Sequence, residues 1–335
     1  MQRILSFVSM VMLSAFVFSS CMKKEKPYVI PPVPDGGEYK IENNQVSIGE
    51  DYATQVYFSL STGVVSTGKY NAWDISFTTG ADKPELWMNG GNKILIYPTG
   101  NSNYAAVTTL GAIPAAAWKY DNSSGLSGQS GLGILSNDNH AGEVLIVDGG
   151  AGVYYKLQIL EIAPTYYKIK TGTLAGTEGT EITLEKDENY NYVFYSFTGG
   201  IVKPEPPKKD WDLLFTRYRY IYYHYNPDGS DFPYYVNGVL SNPYLTQSGD
   251  DSTKAYEFYD FTLDNASAFT LYPDRDVIGF DWKTANINDG SYKVNAKAIF
   301  VIKDQQERLW KLHFTGFYDG NGKKGNPSFE FQRLK

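Results

Sequence analysis

Apolar and polar residues alternate with a period of two along most of the chain, which is the pattern of half-buried β-strands. Asn-Gly, Asp-Gly and Gly-Gly pairs interrupt this pattern and predict hairpin turns. Helical periodicity is poor, and only Ala115–Trp118 and Ala266–Leu271 predict short helices. The strands predicted from this pattern are Gln55–Leu60, Lys93–Tyr97, Glu143–Val147, Val153–Ile159, Tyr166–Lys170, Tyr192–Phe197, Trp211–Tyr225, Tyr234–Leu240, Lys297–Ile302, Leu309–Phe317 and Ser328–Arg333.

The chain contains an internal repeat. Val56–Val65 leads to Trp73-Asp74-Ile75-Ser76-Phe77-Thr78, and Val193–Val202 leads to Trp211-Asp212-Leu213-Leu214-Phe215-Thr216. The two units also end alike, with Val144–Val147 before Tyr155–Ile159 and Ile299–Ile302 before Trp310–Phe314. The sequence therefore predicts an all-β fold of two tandem related antiparallel domains, sandwich-like or barrel-like, with few short helices. We place the N-terminal domain at residues 45–188 and the C-terminal domain at residues 189–335.

The repeated Trp-Asp block predicts a structural role. A period of two places Trp73, Ile75 and Phe77 on one face of a strand, and aromatic residues at strand spacing are far more often core than cofactor site. Asp74 and its counterpart Asp212 are expected to hydrogen-bond backbone groups near the start of each strand rather than to act in catalysis.

The N-terminus resembles a bacterial lipoprotein signal. Arg3 precedes the apolar run Ile4–Phe18, which is short for a membrane span but suits a signal peptide. The run ends in Ser19-Ser20-Cys21, which predicts cleavage after residue 20 and acylation of Cys21, the single cysteine of the chain. The Pro- and Gly-rich residues 21–44 then predict a flexible tether. We expect a protein held at a membrane by a lipid anchor, on either face of that membrane.

Composition excludes some classes of function. With 30 basic and 37 acidic residues the net charge is -7, and the sequence has no basic block that would bind nucleic acid. The sequence also has no nucleophile elbow, no P-loop and no zinc-type spacing of His or Cys, so we expect a binding protein rather than an enzyme.

One segment of the second unit combines residues suited to binding a flat ligand. Arg217–Tyr225 holds five tyrosines, two arginines and one histidine within nine residues. Strand alternation places Tyr220, Tyr222 and His224 on one face, with Arg217 and Arg219 on the other. This pattern describes either an amphipathic strand that covers a sheet, or a wall for an aromatic ligand with an imidazole or phenolate available to iron.

Five blocks of the sequence resemble the HmuY family of haem-binding outer-membrane lipoproteins. The resemblance covers most of the second unit and, more weakly, the first. It is carried by Trp211–Tyr218, Tyr235–Pro243, Ile278–Lys283, Trp310–Tyr318 and Gly322–Phe331.

The resemblance implies an all-β fold that holds haem between two axial side chains, His or Met, and delivers it to an outer-membrane receptor. His224 is the best candidate for a ligand of the iron, with Met88 or His140 of the first unit as the second. Thr216 stands where the haem-binding prototype suggests a histidine. A surface glycan-binding or receptor-accessory lipoprotein without haem, and a structural envelope protein, are the alternatives.

Overall fold

Strands are the main regular elements of the structure, a computed structural model that describes residues 39–80, 82–136, 138–251 and 254–335. The predicted signal peptide, Cys21 and most of the tether lie outside these residues. In chain order the first ten strands are β1 (Glu42–Gln45), β2 (Thr54–Ser59), β3 (Gly63–Lys69), β4 (Ile75–Thr78), β5 (Leu86–Met88), β6 (Leu95–Pro98), β7 (Val144–Asp148), β8 (Tyr154–Ile162), β9 (Tyr166–Thr173) and β10 (Thr180–Glu185).

Within the described residues, the second half of the chain adds ten more strands and one short α-helix, α1 (Leu263–Ser267), which Thr262 caps in a capping box. The described 3₁₀ helices span Tyr104–Ala106, Ala115–Ala117 and Phe258–Asp260. The strands are β11 (Tyr192–Ser196), β12 (Gly200–Val202), β13 (Leu213–Tyr222), β14 (Phe232–Ser241), β15 (Gln247–Asp250), β16 (Lys283–Ala285), β17 (Tyr292–Val294), β18 (Ile299–Lys303), β19 (Leu309–Tyr318) and β20 (Lys324–Arg333).

The all-β prediction is confirmed, because the strands of the described residues form antiparallel sheets and helices are few and short. Each predicted strand corresponds to a strand of the structure, with ends that differ by a few residues. Among the described residues no helix is long and apolar enough to cross a membrane.

The larger sheets form two sandwiches. In the first, the five-stranded sheet β10-β9-β8-β7-β6 packs on the four-stranded sheet β12-β11-β4-β5, and in the second β1-β20-β19-β18-β15 packs on β14-β13-β2-β3. The first core contains the fully buried Phe77 and Tyr167, whose ring centroids are 4.8 Å apart. In the second core the fully buried Phe58 packs edge-on against Phe329 at 5.2 Å. Each core therefore contains aromatic residues from both of its sheets.

The two repeats exchange their first hairpins. β2 of the first repeat pairs with β13 of the second, and β11 of the second repeat pairs with β4 of the first. Strand β1 pairs with β20 at the other end of the chain, so the folded region begins before the predicted boundary at residue 45. The division between residues 188 and 189 stays a prediction. Each of the two four-stranded sheets contains strands from both sides of it.

Two equivalent aspartates fasten the exchanged hairpins. Asp212 accepts a hydrogen bond from the backbone N–H of Leu60 at 2.8 Å, and Asp74 accepts one from the N–H of Phe197 at 2.8 Å. In both cases the donor is the residue that follows the first strand of the exchanged hairpin. The expected backbone role of these aspartates is confirmed, and their partners lie in the other repeat.

The tryptophans of the repeated blocks do not share a face with the residues that follow them. Trp211 precedes β13 and packs with Tyr57, whereas Leu213 and Phe215 lie in the second sandwich core. Trp73 likewise packs edge-on against Phe194, with ring centroids 5.0 Å apart, instead of entering the core of Ile75 and Phe77. Strand alternation fails here because both tryptophans precede the first strand residue.

Candidate functional site

The hairpin β13–β14 ends in a group of aromatic side chains that we call the aromatic tip. The ring of Tyr222 lies at its centre, 5.0 Å from Tyr220 and 5.4 Å from Tyr225. Tyr225 and Tyr234 are about half to two-thirds exposed, so their apolar faces meet solvent. The tip consists of Tyr220, Tyr222, Tyr225, Phe232, Tyr234 and Phe280.

His224 lies two residues after the end of β13 and is exposed in the turn beside the aromatic tip. Its φ of 53° takes it out of the strand, so the alternation that placed it on a face with Tyr220 and Tyr222 ends at Tyr222. The backbone N–H of His224 donates to Asp231 at 3.0 Å, and Nδ1 lies 3.1 Å from the carbonyl oxygen of Gly229. These contacts fix the position of the ring.

The contact with Gly229 also defines the chemistry of His224. A carbonyl oxygen only accepts hydrogen bonds, so Nδ1 carries the proton and Nε2 of the neutral ring keeps its lone pair. Within the described part of the chain, Nε2 has no hydrogen-bond partner. An imidazole held by its other nitrogen in this way is the usual arrangement of a metal-ligating histidine.

The tyrosines of the tip are poorer candidates for iron ligands. Burial raises the pKa of Tyr220 and of Tyr222. Asp276 and Asp281 raise the pKa of Tyr220 further, and the neighbouring tyrosine hydroxyls raise that of Tyr222 further. A raised pKa disfavours the phenolate that iron would need. At neutral pH these tyrosines can therefore supply ring surface and hydroxyl groups.

The predicted arginines lie away from the tip. Arg217 stands over the rings of Tyr70 and Tyr235, and Arg219 donates from Nη2 to the carbonyl oxygen of Ile94 at 3.1 Å. Both line a cavity between elements of the two four-stranded sheets, together with Met88. Strand alternation places the arginines on the face opposite Tyr220 and Tyr222, and in the structure they lie away from the aromatic tip.

The two candidates for a second iron ligand are both engaged elsewhere. Met88 is buried in β5, and its terminal methyl group packs against Gly131. His140 precedes β7, where its Nδ1 lies 2.7 Å from Glu143. Neither residue makes a contact with the aromatic tip. Among the described residues no group of three or more His, Cys, Asp or Glu side chains is arranged to hold a metal ion.

Sequence reasoning missed the cavity lined by Met88, Arg217 and Arg219. It is also lined by Trp87 of β5 and Trp211. In the sequence these residues have the local pattern of core residues. Only the internal repeat distinguishes them from ordinary core residues. Equivalent Trp-Asp blocks in both units predict equivalent surfaces, and in the structure those surfaces line one cavity.

Comparison with known proteins places the chain in a family. The family model described as HmuY protein matches residues 51–331. No curated protein matches the chain. Solved structures that are similar include the apo HmuY analogue of Tannerella forsythia, 10% identical, which covers 89% of this chain and 98% of its own with a TM-score of 0.26. A HmuY-like haem-binding protein of Bacteroides vulgatus is 9% identical and covers 87% of this chain and 90% of its own with a TM-score of 0.24.

A lipoprotein of Bacteroides fragilis, 10% identical, covers 53% of this chain and 94% of its own with a TM-score of 0.23. The assignment rests on the family match, which spans both repeats and reaches from the start of β2 into β20. The chain belongs to the HmuY family.

Proposed function

We propose that this protein binds haem or a related porphyrin on the aromatic tip, with Nε2 of His224 as an axial ligand of the iron. The orientation of His224 carries the proposal, because Nδ1 is bound to Gly229 and Nε2 is left for a metal beside exposed ring faces. A porphyrin is a flat apolar disc, and stacking on tyrosine and phenylalanine removes its faces from water. Membership of the HmuY family supports this ligand class.

The surroundings of the tip define how the porphyrin would bind. Asp228 and Asp231 lie in the same hairpin, and Arg217 and Arg219 lie in the cavity, so the tip offers no guanidinium to the propionates. We infer that the propionates face solvent and that ring stacking and the iron–histidine bond supply the affinity. A site with these properties loads and releases its cargo readily, which suits transfer to an outer-membrane receptor.

Haemin titration tests the site. The wild-type protein is expected to give a saturable Soret band, and His224→Ala should change the ligand-field bands and weaken binding about tenfold or more, about 1.4 kcal/mol. His140→Ala is the matched control and should bind as the wild type does, since its ring is held by Glu143. Bands that are unchanged in His224→Ala refute the iron ligand. No saturable binding at all would favour sugar stacking on the same exposed rings.

We further propose that Cys21 carries the lipid that anchors the protein at the outer membrane. Ser19-Ser20-Cys21 after an apolar run supports this, although these residues lie outside the described part of the chain. Fatty-acid labelling should mark the wild-type protein and leave a Cys21→Ser variant unmarked. A variant that is labelled and membrane-bound to the same extent contradicts the anchor.

A further inference from the structure

The aromatic tip supplies one ligand to an iron that has an axial position on each face of the porphyrin. That ligand is Nε2 of His224, as in the proposed function, on which this inference rests. His313 is buried, and each of its ring nitrogens lies 3.0 Å from a protein acceptor. His140 and Met88 are engaged away from the tip, and burial disfavours the phenolates of the nearby tyrosines. Within the described residues, no second histidine or methionine reaches the tip.

The rings of the tip suit one face of a flat ligand. Phe232 lies at 28° to the rings of Tyr222, Tyr225 and Tyr234, with centroids between 5.5 and 6.4 Å away. Phe232, Tyr225 and Tyr234 are exposed, so these nearly parallel rings form one apolar surface. A porphyrin that stacks on this surface still has its other face in water. Contact of that apolar face with water is unfavourable, so the bound porphyrin attracts a second apolar surface.

The turn around His224 is open to a second protein. Tyr223–Tyr225 and residues 227–230 are exposed, and Asn226 and Asp231 are half-buried. The bond between Nδ1 and the carbonyl oxygen of Gly229 fixes the ring before any ligand arrives, so little side-chain entropy is lost when iron binds. A second copy of the chain presents the same imidazole and the same rings. A two-fold axis through the iron would relate the two copies.

We propose that one haem is shared by two copies of this chain, each of which supplies Nε2 of His224 to one side of the iron. The two aromatic tips then cover both faces of the porphyrin. Both missing parts of the site, the second axial ligand and the second apolar surface, come from the same partner. The iron joins the copies, so their association requires haem.

The charge of the turn defines how this association depends on salt. Residues 223–234 contain Asp228 and Asp231 and no lysine or arginine. Hydrogen bonds from the hydroxyl and the backbone N–H of Ser230 lower the pKa of Asp228, so its carboxyl group is ionised at neutral pH. Two such turns on either side of one haem repel each other, and salt screens the repulsion. Added salt should therefore favour the shared haem.

Sedimentation velocity of the protein with increasing amounts of haemin tests the sharing. We expect single chains without haemin, and particles of twice the mass with one haem each when half an equivalent of haemin is present. With a large excess of haemin, each chain should bind its own haem and return to the single mass. Haem bound by particles of single mass at every ratio overturns the sharing and leaves the proposed function standing. No saturable binding of haemin overturns both.

Two variants and the spin state of the iron show what joins the copies. His224→Ala should keep the single mass at every ratio of haemin, whereas His140→Ala, the matched control, should double in mass as the wild type does. Electron paramagnetic resonance of the doubled particle should show low-spin iron, because two imidazoles bind it. A doubled mass without haemin or in His224→Ala, or high-spin iron in the doubled particle, contradicts the proposal. A doubled fraction that falls as sodium chloride is added contradicts turns that face each other.

Discussion

Glu205 should make the stability of this protein depend on pH near neutrality. Its side chain is buried between the two repeats, where Oε1 accepts a hydrogen bond from Nδ2 of Asn191 at 2.7 Å and Oε2 accepts one from the backbone N–H of the same residue at 3.2 Å. Desolvation raises its pKa from 4.5 to about 7, and these hydrogen bonds and Arg275 offset only part of the effect. The fold therefore favours the protonated carboxyl group.

The size and sign of the effect follow from linkage. A pKa that rises from 4.5 to about 7 on folding corresponds to roughly 3 kcal/mol, at about 1.4 kcal/mol per pH unit. The folded state binds the proton more tightly than the unfolded state. The stabilisation is therefore fully present below pH 4.5 and is lost as the pH rises to about 7.

Urea unfolding of the wild-type protein and of Glu205→Gln, followed by tryptophan fluorescence, measures this contribution. Other buried carboxyl groups, such as Asp212, contribute equally to the pH dependence of the free energy of unfolding in both proteins. Their contributions therefore cancel when the two proteins are compared. We expect the stability of the wild type relative to the variant to fall by about 3 kcal/mol between about pH 4 and about pH 8. The misplaced amide of glutamine adds a cost that does not change with pH.

A difference that stays constant over this range would refute the reasoning, because it would mean that Glu205 ionises in the folded state as easily as in the unfolded chain. A difference that grows with pH would show that Arg275 and Asn191 stabilise the carboxylate more than burial destabilises it.

Two further predictions concern how the repeats are joined. A fragment of residues 189–335 lacks β2, the partner of β13, so we expect it to unfold without cooperativity. Mixing this fragment with residues 39–188 should restore a cooperative transition. A cooperative transition of the fragment alone would contradict this. Gly91→Ala should lower the free energy of unfolding by about 1–3 kcal/mol, because its Cβ would meet the carbonyl oxygen of Arg217. Gly68→Ala is the matched control, since nothing lies within 4 Å of its Cβ, and equal losses in both variants would refute the steric argument.

Strand positions followed from the sequence because they depend on local patterns. Alternation in Tyr166–Lys170 and Leu309–Phe317 predicted β9 and β19, and the Ala-rich segment predicted the 3₁₀ helix at Ala115–Ala117. The repeated Trp-Asp blocks also predicted that Asp74 and Asp212 bind backbone. These features hold because the period of a side-chain pattern and the geometry of a turn are set by residues near one another in the chain.

Other features were hidden from the sequence because alternation does not show what covers each face of a strand. Lys156 occupies a polar position of β8 and is fully buried, with Nζ donating to the carbonyl oxygens of Tyr104 and Gly176. Lys311 occupies the equivalent position of β19, and its Nζ donates to the carbonyl oxygens of Phe258 and Phe261. In each unit, segments between the strands cover the outer face of the five-stranded sheet and supply the carbonyl oxygens that make a buried lysine stable.

The sequence by itself determined the strands, the repeat and the family, and it placed an unusual group of tyrosines next to His224. Only the tertiary structure decided that β2 pairs with β13 and β11 with β4. That pairing places Arg219 in the cavity between the repeats and leaves His224 exposed at a hairpin end. The physical reason is that a strand presents its backbone donors and acceptors to any partner of suitable length, so the partner is selected by packing between residues distant in the chain.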